Sequence, residues 1–148
     1  MGSLFLFEGE KYMSVLKALL KMDKKDFEMP KKLVEMPRLS KIAKEKIIFE
    51  LQGVSQIKMD EINELVMNIN MKTKDYNLDI NELRLAVISE GVKSPSFRDQ
   101  ELQAHFGAAT AYDLIKAMLT AGERDFIFNE LQQLSGYGEG VVKEVKKP

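Results

Sequence analysis

The chain has 148 residues, 45% of them hydrophobic and 30% charged, with a net charge of −1 and no cysteine. That size and balance fit one globular domain with its own core and exclude an intrinsically disordered chain. Without cysteine there are no disulfides, thiol nucleophiles or thiolate metal sites.

Residues 1–12 read as an appended or disordered segment, with Met13-Ser14 as the natural start. The run Leu4-Phe5-Leu6-Phe7 is too short for a signal peptide and has no basic residues before it. No stretch approaches the roughly 20 apolar residues of a membrane span. Ser14 is placed to cap a helix ending near Asp23, with Val15, Leu16, Leu19 and Leu20 on one face. Pro30 and Pro37 then argue against a long helix between Phe27 and Pro37.

Leu33-Val34-Glu35-Met36 is expected as a short edge strand, with Pro37 tolerated at the edge. The strongest strand signal is Lys46–Gln52, where Ile47, Phe49 and Leu51 alternate with Ile48, Glu50 and Gln52. The two are expected to pair as an antiparallel hairpin across Ser40–Glu45.

Beyond Gly53 the pattern turns helical. Ser55 is a cap candidate for a helix whose apolar face is Met59, Ile62, Leu65, Val66 and Ile69. A polar link over Lys72–Asn77 follows, then an Asp79/Glu82 capping pattern ahead of Leu83, Ala86 and Val87, with Gly91 as the stop. A short helix is expected from about Arg98 to His105, closed at Gly107. Thr110 with Asp113 caps another, whose apolar face is Leu114, Ile115, Met118 and Leu119. Gly122 marks a junction, and Phe126, Ile127, Leu131 and Leu134 form the last helix before Gly136. The fold class is therefore mostly α, a single helical domain over 13–136 of about five to six short helices with one N-terminal β-hairpin near 33–52. Residues 137–148 are expected to be a mobile tail.

Catalysis needs a titratable group near neutrality beside a partner, and one histidine, His105, is a weak basis for it. Asp60, Glu61 and Glu64 lack the alternating oxygen ligands and central glycine of a calcium loop, and read as a solvated helix face. Gly136-Tyr137-Gly138-Glu139-Gly140 follows a helix and lacks the Lys-Ser/Thr of a phosphate loop. A helix-turn-helix over residues 98–119 would offer DNA only Lys116 on its second helix, so packing is the better reading. No enzyme activity, cofactor, metal, nucleic acid or membrane partner is expected.

Charge and methionine are unevenly spread. Residues 1–58 hold 12 Lys/Arg against 8 Asp/Glu, and residues 59–148 hold 10 against 15. Eight of the nine methionines fall in the first 71 residues. Methionine can fill an irregular core or serve an adaptable surface.

Several phrases recur in a known order. They are Ser14–Asp23, Arg38-Leu39-Ser40-Lys41 with Ile48-Phe49-Glu50-Leu51, Asp99-Gln100-Glu101-Leu102, Phe106-Gly107-Ala108-Ala109-Thr110, Ala121-Gly122-Glu123 and Leu134-Ser135-Gly136. From about Met13 to Lys147 this set resembles the XkdN-like tail assembly chaperones of contractile-tailed phages and prophages. The resemblance implies a non-enzymatic protein in the cytoplasm of the bacterial host. Such a protein coats the tape measure protein, keeps it soluble, helps tail tube subunits polymerise around it, and is absent from the finished particle. The tail tube protein and further copies of the chain are the other partners it implies.

The surface expected to hold an apolar helix is Leu19, Leu20, Met22, Phe27, Met29 and Leu33. This is a physical inference from the residues and is not carried over from the family. The competing function is a small phage-encoded regulatory adaptor that binds another protein.

Overall fold

The computed structural model describes residues 14–72, 80–138, 140 and 142–145. The expected appended segment at 1–12, the Lys72–Asn77 link beyond its first residue, and the Asp79 cap lie outside these residues. Helix α1 covers residues 14–20 and is followed by a 3-10 turn at Lys24–Phe27. Then come β1 (Lys31–Glu35), α2 (Pro37–Ala43), β2 (Ile48–Gln52), α3 (Gln56–Lys72), α4 (Ile80–Gly91), β3 (Val92–Ser94), α5 (Gln100–His105), α6 (Ala111–Met118) and α7 (Ala121–Leu134). The architecture is mostly α with a minor antiparallel sheet.

Strands β1 and β2 pair antiparallel, with Lys31 opposite Gln52 and Val34 opposite Phe49. The register follows from burial: Val34, Phe49 and Leu51 point into the core, and a slip of one residue would expose all three. Two expectations are corrected here. The connection is no simple turn but contains α2, and Pro37 is the first residue of that helix, where a missing N–H costs nothing. Lys44, with φ 59°, ends α2. The Ser40 hydroxyl donates to the Met36 carbonyl at 2.8 Å and accepts from the Ile47 N–H at 2.9 Å, which closes the loop.

The sheet also has a third strand. β3 pairs with β2 through Leu51–Val92 and Glu50–Ser94, giving the order β1-β2-β3, so the strands are not all N-terminal. Three residues, Val92-Lys93-Ser94, carry too little alternation to announce a strand.

Helix α4 is the centre of the molecule, with Leu85, Ala86, Val87, Ile88 and Ser89 all buried. A run of five consecutive buried residues turns past a full circle of the helix, so its second half must be covered on all sides, and α3, α6, α7 and β3 pack around it. Met59, Ile62 and Val66 of α3, Leu114 and Ile115 of α6, and Ile127 and Leu131 of α7 complete the core. Phe49 meets Phe97 edge to face at 6.1 Å. Leu65 and Phe126, expected on the buried faces of their helices, are exposed. Each sits at the margin of its stripe, where neighbouring elements do not reach.

The local stops and starts are largely those the residue types demand. Asp99 and Thr110 accept from the Leu102 and Asp113 N–H groups at 2.9 and 3.1 Å. Gly107 and Gly136, with φ 65° and 95°, supply the left-handed conformations that follow α5 and α7. Gly122 is not a junction: α7 begins at Ala121 with a reciprocal Thr120–Glu123 capping box.

That cap is tied to the sheet layer. Arg38 donates from Nε and Nη2 to Glu123 at 3.1 and 2.8 Å, and from Nη2 to the Met118 carbonyl. Burial alone would raise the Glu123 carboxyl, but the bonds from Arg38 and Thr120 hold it below the ordinary carboxylate value. Its folded-state value being depressed, the stability it contributes is present at neutral pH and is lost as pH falls through the carboxylate range. Arg38→Ala is therefore expected to lower stability by about 1–2 kcal/mol at pH 7. In urea titrations the gap from wild type should shrink once the medium is acid enough to protonate Glu123. A pH-independent gap would show that the ion pair contributes nothing.

Candidate functional site

An exposed apolar arm leads into the sheet. Along α1, Val15, Leu16, Leu19 and Leu20 are 54%, 51%, 51% and 76% exposed. Their spacing makes one stripe, as the sequence requires, yet the stripe is open to solvent. Met22 follows at 47% exposure.

Asp23 then caps the 3-10 turn in a capping box with Asp26. The Asp23 N–H donates to the Asp26 carboxylate at 2.9 Å, and the Asp23 carboxylate accepts from Lys25 N–H at 3.4 Å. Phe27, the last residue of the turn, is 65% exposed.

The chain is fastened where it enters β1. The Met29 carbonyl accepts from Gln52 Nε2 at 3.1 Å, and the Pro30 carbonyl accepts from Gly53 N–H at 3.0 Å. Leu33 lies on the outer face of the sheet, because its neighbour Val34 takes the inner one, and is 68% exposed.

Five of the six residues expected to form a partner surface are therefore exposed: Leu19, Leu20, Met22, Phe27 and Leu33. Met29 is only half-buried and packs at the end of β2. Ile48, outside that set, is exposed on the same outer sheet face, diagonally across from Leu33. The alternation of Lys46–Gln52 had already placed it opposite the core. Of the methionines, Met36 and Met59 are core fillers, whereas Met22 and Met67 are exposed.

Lysines interleave the arm at positions 17, 21, 24, 25, 31 and 32. Lys31 pairs with Glu50 at 3.7 Å and Lys32 with Glu130 at 2.6 Å. Such a surface can hold an apolar helix face by contact area while the lysine heads stay in water.

The other candidate groups settle into structural places. His105 closes α5, exposed and edge-on to Phe106 at 5.0 Å. Asp60 accepts from Gln56 at 2.9 Å and Glu61 pairs with Lys58 at 3.3 Å, both on the solvent face of α3. The pair α5–α6 buries Leu114 and Ile115 in the core and does not present them to a groove. Among the described residues, no helix is long and apolar enough to cross a membrane.

Known proteins bear on this arrangement in two ways. The family model described as phage XkdN-like tail assembly chaperone protein matches residues 16–147. The fold is similar to the crystal structure of the protein yqbn, with a TM-score of 0.57 at 18% identity, covering 73% of this chain and 87% of that one. No curated protein matches the chain.

Proposed function

This chain belongs to the phage XkdN-like tail assembly chaperone family, and from that premise we propose that its partner in the tail is the tape measure protein. In this reading it holds the tape measure's apolar helical segments in the host cytoplasm and keeps them dispersed. It then yields them to tail tube subunits and does not remain in the finished particle. The observation that supports it is the exposure of Leu19, Leu20, Met22, Phe27 and Leu33 over the segment that runs from α1 into β1. Exposed apolar groups of this size in one short stretch are disfavoured unless something covers them. Family membership gives the partner's class, and the chemistry of the stripe gives its character: an amphipathic helix offering anchors at helical spacing.

The stripe also suits a chaperone in strength. Contact by apolar side chains without buried ion pairs holds a partner through area alone, and another surface can displace it. Co-expression with the tape measure protein encoded nearby, followed by size-exclusion chromatography with light scattering, tests the proposal. A soluble complex containing several copies of this chain is expected, with the tape measure insoluble alone. Recovery of this chain by itself, beside an insoluble tape measure, would favour a regulatory adaptor instead.

A further inference from the structure

A second surface has chemistry opposite to the arm. A groove of about 340 Å³ runs between α4, α6 and α7, with Arg84, Lys116, Arg124 and Asp125 on its walls above the buried Leu85 and Ile88. Three cations thus face one carboxylate.

Asp125 pairs with Arg84 Nη1 at 3.2 Å. Arg84 Nε is buried without an acceptor, and its guanidinium lies 5.5 Å over the Phe128 ring, which fixes it in place. Arg124 is half-buried, and among the described residues neither it nor Lys116 has a side-chain hydrogen bond or ion pair. A partly desolvated guanidinium without a carboxylate is unfavourable in a free protein and becomes favourable once an anion arrives. We propose that this groove binds an acidic peptide segment of a partner protein, with carboxylates on Arg124 and Lys116.

The charge around the groove favours a peptide over a nucleic acid. Residues 59–148, which carry the groove, hold 10 Lys/Arg against 15 Asp/Glu, so a long polyanion meets repulsion beyond the groove itself.

The test uses the full chain and a fluorescein-labelled peptide of alternating glutamate and leucine, read by fluorescence anisotropy. Binding is expected at low salt, weakening about fivefold at physiological ionic strength. The same-length lysine–leucine peptide should not bind. Lys116→Gln with Arg124→Gln touches no hydrogen bond or ion pair of the fold and should raise the peptide Kd by about tenfold or more. Lys24→Gln with Lys25→Gln on the arm should leave it unchanged.

The proposal is overturned if the wild-type chain ignores the acidic peptide, or if the groove pair binds as well as wild type. It also fails if the arm pair is the one that weakens binding, or if single-stranded DNA displaces the peptide more effectively than unlabelled peptide does. No tape measure protein is present, so failure here leaves the proposed chaperone role standing.

Discussion

Gly53→Ala is expected to lower the stability of the fold by about 3 kcal/mol, the upper range for forcing an extra methyl into a packed site. A Cβ at Gly53 would overlap the carbonyl group of Leu134 and crowd the amide of Ser135. Both are backbone, and neither can swing aside as a side-chain tip could. The same junction carries the Val54 N–H bond to Ser135 Oγ at 2.7 Å, and the Ser135 hydroxyl donates to the Leu131 carbonyl at 2.6 Å. Moving the end of α7 away from the sheet would therefore break the Val54–Ser135 bond as well as loosen Leu131 in the core.

The contrasting substitution is Gly122→Ala. Gly122 lies in the first turn of α7 with open space around its Cα, so alanine there should stabilise by about 0.5 kcal/mol through reduced freedom of the unfolded chain. Urea unfolding of both variants checks the pair. Equal effects from the two would mean that the Gly53 contact is not a packing constraint.

Leu20→Asp combined with Phe27→Asp is expected to weaken binding to the tape measure protein by about 100-fold, the scale of losing two central apolar anchors of an interface. Both side chains are largely exposed, at 76% and 65%, so the free protein loses no buried contact. Its circular dichroism and unfolding midpoint should match wild type. Met29 is a poorer choice for this purpose, because it is half-buried at the point where the chain is fastened to Gln52. Binding is read by co-purification from cells expressing both proteins. A complex that survives the double substitution would move the tape measure contact off the arm, and Leu33 with Ile48 on the outer sheet face would be the next surface to change.

Particular elements show how far the residues alone could be read. The strand at Phe49 was legible because β-branched and aromatic residues alternate along it, and its antiparallel partner at Leu33 because the two lie close in sequence across a short connection. The caps at Asp99 and Thr110 and the stops at Gly107 and Gly136 were legible because each residue type satisfies a local backbone demand. Helix α2 was missed because Pro37 was read as the end of a strand when it opens a helix. The Thr120–Glu123 box was missed because Gly122 looked like punctuation between helices.

The candidate arm stands out in sequence by leucine, phenylalanine and methionine beside lysine, a pattern that does not carry its exposure. A leucine stripe on α1 is identical in sequence terms whether it faces a core or water.

What the sequence determined by itself was local: most of the helical stretches with their caps and stops, which face of β2 carries apolar groups, and the absence of thiol chemistry. These depend on interactions within a few residues, so they are written in residue type and spacing. The tertiary structure decided which apolar faces are covered. It buried the second half of α4, recruited Val92–Ser94 as a third strand, brought Gly53 against Leu134, and left the α1 stripe in solvent. Burial is set by segments distant in the chain that arrive together, and no local pattern specifies which of several similar stripes the core will have room to cover.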